Sequence, residues 1–223
     1  MMVQAVLFDL DGTFLDTAQD MAWALNALLT EEGRAELPFD QIRPEVSNGA
    51  RGLLGLGFQL GPEHGDFERL RTRYLDIYAN NLHRHTRAFP GIDALVDDLE
   101  QRGQRWGIVT NKPRFLAEPL MRALGYWPRA ACLVAGDDHP KRKPHPGPLL
   151  MACEHAGVPA NATLYVGDAA RDIEAGKNAG MGTITALYGY IPVGENPRDW
   201  QADAEVDAAE ALLPLIRNWS LTR

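Results

Sequence analysis

Five short apolar segments, at residues 3–8, 106–110, 131–135, 163–167 and 183–187, constrain this chain more than any other feature. Each is five or six residues long and rich in Val, Ile, Leu, Thr and aromatic side chains, the signature of strands buried on both faces. Helical spacing falls between the later ones. Ile92, Leu95, Val96 and Leu99 form one apolar stripe; Leu116, Leu120, Met121 and Leu124 form a second; Leu149, Leu150 and Cys153, after Pro148, form a third. Strands alternating with amphipathic helices imply parallel βαβ units joined by right-handed connections. The expected fold is α/β, a doubly wound (Rossmann-like) parallel sheet.

The alternation breaks after the first strand. Ala18, Met21, Ala22, Leu25, Leu28 and Leu29 mark one amphipathic helix, and Phe67, Leu70, Tyr74, Ile77 and Tyr78 mark another, with no apolar strand between them. Residues 16–85 are therefore expected to form a small helical cap inserted into a core made of residues 1–15 and 86–223. The alternative is that these helices simply cover one face of the sheet. Residues 13–17 and 87–91, where the chain crosses between the two parts, are the expected hinges.

Composition excludes several classes. With 22 Lys and Arg against 30 Asp and Glu the net charge is −8, which argues against a nucleic-acid partner, since phosphate backbones call for a basic face. No apolar run approaches the roughly 20 residues that span a bilayer, so no membrane partner is expected. Cys132 and Cys153 are too few for a disulfide framework; they read as buried thiols in a reducing, cytoplasmic setting.

The first strand runs directly into Asp9-Leu10-Asp11-Gly12-Thr13. The tetrapeptide from Asp9 to Gly12 also reads as a polar turn. Two carboxylates that close repel unless a positive charge joins them, and hard oxygen donors suit Mg²⁺. In an open α/β sheet ligands gather outside the carboxyl ends of the strands, which makes a shortlist of the residues that follow each strand. It comprises Asp9 and Asp11, then Thr110 and Asn111, then Asp168 with Asp172, together with Lys143 in the Pro-rich stretch from Lys141 to Pro146. Singly, each has a plain alternative as a helix cap, a strand terminator or a solvated charge. Together, recurring in this order at strand ends, they outweigh the plain alternatives and mark a place for chemistry.

These residues carry a resemblance. Asp9-Leu10-Asp11-Gly12-Thr13, Thr110, Lys143 and Gly167-Asp168-Ala169-Ala170-Arg171-Asp172 resemble the four motifs of the haloacid dehalogenase superfamily of phosphatases, spread over nearly the whole chain. The resemblance implies that Asp9 is the nucleophile, that Asp11 is the general acid and base, and that Asp9, the main-chain carbonyl of Asp11 and Asp168 hold Mg²⁺. It further implies that Thr110, Asn111 and Lys143 bind the phosphoryl oxygens and that Asp172 supports the metal site. Phe14, where Leu is usual, and Ala169, where Ser, Thr or Asp is commoner, depart from the pattern.

Substrate choice is expected to lie in the cap. In Ser47-Asn48-Gly49-Ala50-Arg51, Asn48 and Arg51 are the candidates for specificity, Arg51 because a guanidinium pairs well with a second anionic group such as a carboxylate. The plain alternative for Arg51 is a surface position on a cap helix. Arg142-Lys143-Pro144-His145-Pro146 is similar to the phosphoglycolate phosphatases. Trp106 to Pro113, Ala117-Glu118-Pro119 and Tyr188-Gly189-Tyr190-Ile191-Pro192 are more similar to the N-acetylmuramic acid 6-phosphate phosphatases of cell-wall recycling. Both resemblances imply a small phosphorylated carboxylate or sugar acid as the partner. A phosphosugar mutase on the same core is a further alternative.

Overall fold

The computed structural model describes residues 2–219. Its strands are β1 (Ala5–Phe8), β2 (Leu15–Asp16), β3 (Arg87–Ala88), β4 (Arg105–Val109), β5 (Cys132–Val134), β6 (Thr163–Gly167), β7 (Gly182–Ala186) and β8 (Ala204–Val206). The main sheet has the order β5-β4-β1-β6-β7-β8 and is parallel throughout. The chain starts in the middle, builds outward to β5, then returns to the other side of β1. That reversal puts the carboxyl ends of β1, β4 and β6 side by side at a topological switch point, where a ligand crevice opens.

Strand parity sorts the core into two layers. Val6 and Phe8 of β1 pack with Ile108 and Val166 in one apolar cluster, whereas Leu7 packs with Val109, Val134 and Tyr165 in the other. Alternate residues of a strand face opposite sides, so a two-sided sheet needs apolar residues at every position. The Leu7 face is covered by α7 (Gly147–Ala156) and α8 (Ala170–Asn178), and the Phe8 face by α5 (Ile92–Gln101), α6 (Arg114–Ala123) and α9 (Leu212–Arg217). On this second face Phe14 stacks on Trp106 at 5.4 Å and meets Tyr126 and Phe8 edge-on at 4.9 and 5.5 Å. Aromatic pairs of this kind add roughly 0.5–1.5 kcal/mol each beyond their burial, which gives the Phe at position 14 a packing role.

Between β2 and β3 lie α1 (Ala18–Glu31), the short α2 (Phe39–Ile42), a 3₁₀ segment at Arg43–Asn48, α3 (Gly49–Phe58) and α4 (Phe67–Ala79). The apolar stripes expected for two of these helices are buried: Met21, Leu25, Leu28 and Leu29 on α1, and Phe67, Leu70, Tyr74 and Tyr78 on α4. The two chain crossings pair with each other as the antiparallel ladder β2·β3, with Leu15 opposite Ala88 and Asp16 opposite Arg87. Beside them Asp20 is 1% exposed and its carboxylate accepts from the backbone N–H of His85 at 3.0 Å, the N–H of Thr86 at 2.9 Å and the Thr86 hydroxyl at 2.8 Å. No helix among the described residues is long and apolar enough to cross a membrane.

Asp20 thus fastens the outgoing helix to the returning chain. Removing it strands the buried N–H and hydroxyl of Thr86 and frees the His85 N–H, so Asp20→Ala should lower stability by about 2–3 kcal/mol, read as a fall in Tm of roughly 4–12 °C for a chain of this size. A melting temperature unchanged from wild type would rule out this fastening.

Candidate active site

The residues that follow β1, β4 and β6 meet at one edge of the sheet, and a buried lysine joins them. Lys143 Nζ donates to Asp9 Oδ1 at 2.8 Å and to Asp172 Oδ1 at 2.7 Å, and contacts Tyr165 Oη at 2.8 Å and the Val109 carbonyl at 2.9 Å. Asp9 continues the parity of Leu7, and Tyr165 of β6 lies on that same face, so the strand period brings carboxylate and hydroxyl to one ammonium. Burial works against the charge on Lys143, but the Asp172 and Asp9 carboxylates outweigh it and hold the ammonium charged. Asp172 sits in the first turn of α8, where its Oδ2 accepts from the Ala169 N–H at 3.1 Å.

Asp168 closes the cluster. Its Oδ2 accepts from the Tyr190 N–H at 2.8 Å and from the Ser47 hydroxyl at 2.7 Å, while Oδ1, fully buried, has no hydrogen-bond partner. One carboxylate oxygen each from Asp9, Asp168 and Asp172 lies within 4.8 Å of the others. Burial, then the Asp9 charge, then the Asp172 charge push the Asp168 carboxyl up to about 7. Three buried carboxylates, one with an unpartnered oxygen, are a hard-oxygen donor set that fits a divalent cation.

The two aspartates of the first loop diverge. The Asp11 carboxylate stands outside the three-carboxylate cluster; Lys112 Nζ donates to its Oδ1 at 2.8 Å and Oδ2 at 3.1 Å, and Thr17 Oγ1 donates to Oδ1 at 2.7 Å. Gly12 makes the separation feasible. Its φ is +82°, and a Cβ there would stand 2.1 Å from Asp168 Oδ2, so a side chain is excluded both by conformation and by space. Thr110 is buried and its hydroxyl accepts from the Lys112 N–H at 3.1 Å. Asn111 clamps the Lys143 backbone through both ends of its amide, at 3.1 and 3.2 Å.

A cavity of about 290 Å³ opens between this edge and the helical insertion. Asp9, Asp11, Thr110, Asn111, Lys112 and Lys143 line its sheet side. Asn48, Arg51, Arg71, Tyr74 and Tyr78 line the other, so both of the insertion residues expected from the sequence reach the cavity. Asn48 itself bonds Glu45 at 3.0 Å and receives Arg171 at 3.4 Å. Asp168 and Asp172 lie behind the cavity wall, fully buried.

Lys112, Ser47, Tyr78 and Tyr165 were not among the site candidates. Lys112 lies in a bend beyond the end of β4, where the strand period no longer applies. Tyr165 reads as core from its place in a strand. Ser47 and Tyr78 reach the site only through the packing of the insertion.

The chain matches the family model described as haloacid dehalogenase-like hydrolase over residues 6–186. It is 42% identical over 207 residues to an N-acetylmuramic acid 6-phosphate phosphatase of Pseudomonas putida, covering 93% of each chain. A phosphoglycolate phosphatase of Xanthomonas campestris pv. campestris is 44% identical over 207 residues, with 92% of each chain covered. The crystal structure of a predicted phosphoglycolate phosphatase from Haemophilus somnus has the same fold, with a TM-score of 0.85 at 24% identity over 96% of this chain and 98% of that one.

The ammonium of Lys143 holds the carboxylate cluster together, and its loss leaves buried like charges facing each other. Lys143→Met should cost about 3–5 kcal/mol of stability, measured by urea unfolding in metal-free buffer. An unchanged unfolding midpoint would show that the cluster is not charged in the way the geometry requires.

Proposed function

The chain belongs to the haloacid dehalogenase-like hydrolases and is a phosphoric monoester hydrolase, and from that premise we propose that it cleaves a small phosphorylated sugar acid through an aspartyl-phosphate on Asp9. The observation that carries this reading is the Asp9 carboxylate at the cavity wall, held by the Lys143 ammonium at 2.8 Å beside Asp168 and Asp172. In the first step an Asp9 oxygen attacks phosphorus, the ester P–O bond breaks, and Asp11 gives a proton to the departing alkoxide. In the second, water attacks the aspartyl-phosphate, Asp11 takes its proton, and inorganic phosphate leaves with the Asp9 carboxylate restored.

Bringing a carboxylate to a phosphate is opposed by about 4 kcal/mol per pair of unit charges at 4 Å and an effective dielectric near 20. Lys143 offsets part of that repulsion, and Thr110 and Asn111 complete the proposed cradle for the phosphoryl oxygens. Asp9, the main-chain carbonyl of Asp11 and Asp168 would hold Mg²⁺, with Asp172 braced behind them on Lys143. When bound, the ion supplies positive charge to the phosphoryl group, where charge builds in a loose, in-line transition state.

Residues 16–85 are proposed to act as the cap that selects the ester, on a core of residues 1–15 and 86–223. Arg51, with Asn48 beside it, is the proposed reader of the substrate carboxylate. A cavity of about 290 Å³ is near the lower bound of small-molecule sites, and exceeds what a two-carbon phosphoester fills. That favours N-acetylmuramic acid 6-phosphate, and with it a place in cell-wall recycling. The 44% identity to a protein named phosphoglycolate phosphatase keeps 2-phosphoglycolate as a second reading. A cytoplasmic setting is proposed from Cys132 and Cys153, buried free thiols; burial pushes Cys132 up to about 12.

Kinetics with both esters test the assignment directly. With Mg²⁺ present, kcat/KM should be higher for N-acetylmuramic acid 6-phosphate than for 2-phosphoglycolate, and the reverse order would transfer the assignment to the second ester. Release of inorganic phosphate without an isomerised sugar phosphate separates hydrolysis from a mutase reaction. Asp9→Asn should reduce turnover at least about a thousandfold while the protein stays folded, and chelation of divalent metal should abolish activity in the wild type. Arg51→Ala should raise KM for the carboxylated ester about tenfold, equivalent to about 1.4 kcal/mol, and leave 4-nitrophenyl phosphate hydrolysis unaffected. Equal effects on both esters would remove Arg51 as the carboxylate reader.

A further inference from the structure

We propose that Lys112 is a positioning residue for the Asp11 carboxylate and takes its own position from Tyr78, so that the seating of α4 on the sheet edge sets the proton-transfer group. Lys112 is only 7% exposed, and its ammonium reaches both Asp11 oxygens, at 2.8 and 3.1 Å. A carboxylate gripped through both oxygens is held against rotation about its Cβ–Cγ bond. The grip is charge-assisted and partly desolvated, the setting in which such hydrogen bonds are strongest.

Lys112 is in turn located from two sides. Its N–H donates to the Thr110 hydroxyl at 3.1 Å, which ties its backbone to the end of β4. Its ammonium donates to Tyr78 Oη at 3.0 Å and lies 4.6 Å from the Tyr78 ring centroid. Tyr78 is buried on α4 with its ring nearly parallel to that of Tyr74, at 6.3 Å, so its place is set by the packing of the helix. The second grip on Asp11, from Thr17 at 2.7 Å, also comes from the chain entering the insertion. Asp11 is thereby oriented by a lysine just past β4 that an insertion residue holds in place, whereas Asp9 is oriented by Lys143, from the segment between β5 and α7.

This inference rests on the reading of Asp11 as the proton donor to the leaving group, and leaving-group dependence tests the two separately. kcat/KM reports steps up to departure of the alcohol, and 4-nitrophenolate departs without protonation. The assay compares 4-nitrophenyl phosphate with whichever alkyl ester of the pair above is the better substrate. Asp11→Asn and Lys112→Met should each lower kcat/KM at least about tenfold more for the alkyl ester than for the nitrophenyl ester. Tyr78→Phe, which removes a single hydroxyl and tests the chain of contacts even if Lys112→Met folds poorly, should give a smaller loss of the same pattern. The double variant Lys112→Met with Tyr78→Phe should match Lys112→Met alone, because the tyrosine acts through the lysine.

Equal losses of Lys112→Met on the two esters, or additive losses in the double variant, would overturn the positioning role. If Asp11→Asn is itself indifferent to the leaving group, the acid–base reading of Asp11 falls and the inference falls with it. If Asp11→Asn shows the dependence and Lys112→Met does not, only the inference is lost.

Discussion

The buried ammonium of Lys143 is the interaction on which the rest of this structure depends. A charge taken out of water is costly unless partners replace its hydration, and here the partners come from β1, β4, β6 and α8. The segments that supply Asp9, the Val109 carbonyl, Tyr165 and Asp172 can satisfy it only if the strands hold their observed register. The site is therefore also a constraint on the sheet. Burial first, and then the negative charges of Asp9 and Asp172, push the Asp168 carboxyl up to about 7, even with Lys143 and Arg171 nearby. This upward push and the unpartnered Asp168 oxygen are two expressions of one fact: the fold buries more anionic donors than its own cations neutralise.

A second constraint comes from the segment after β7. Tyr190 donates its N–H to Asp168 at 2.8 Å, while its hydroxyl donates to Asp16 at 2.6 Å and accepts from the Thr17 N–H at 2.7 Å. Tyr188 donates to the Thr13 carbonyl at 2.8 Å. Arg43, from the insertion, reaches the carbonyls of Gly189 and Tyr188 at 3.1 and 3.0 Å and lies 5.0 Å over the Tyr190 ring. One short stretch thus binds the carboxylate cluster, the chain crossing into the insertion, and the insertion itself. The Ser47 hydroxyl on Asp168 extends the same linkage from the other side. Helices inserted after β1 have these contacts to locate them, not just a tether of two chain crossings.

Much of this could be read from the chain because the period of a buried strand is simple. All five apolar segments became strands of the main sheet, offset by at most two residues at either end. The last strand, β8, was not expected, since Ala204-Glu205-Val206 is too short and too mixed to stand out and owes its form to pairing with β7. The β2·β3 ladder was missed for the same reason: two residues on each side carry no pattern. The site was legible where a residue follows a strand, as Asp9, Thr110 and Asp168 do, because the ends of parallel strands converge. It was illegible where tertiary packing decides. Lys112, next to a proline in a loop, looks like a solvated charge, and nothing in Tyr78 or Ser47 announces which surface its helix will meet.

The aspartate pair makes the same point from the opposite direction. Two residues apart at the end of one strand, Asp9 and Asp11 invite the reading that a single cation joins them, yet their carboxylates part company at the turn enforced by Gly12. Asp9 turns into the sheet edge, toward Lys143 and the cluster; Asp11 turns toward Lys112, Thr17 and the insertion. The proposed nucleophile is thus tied to the buried end of the sheet, and the proposed proton-transfer group to the boundary with the insertion. Tyr78, which braces Lys112, lines the same cavity as Arg51. Under the proposed roles, residues that choose the ester and residues that orient Asp11 share one wall, so that a change in the insertion altering substrate fit would also alter how the proton is delivered.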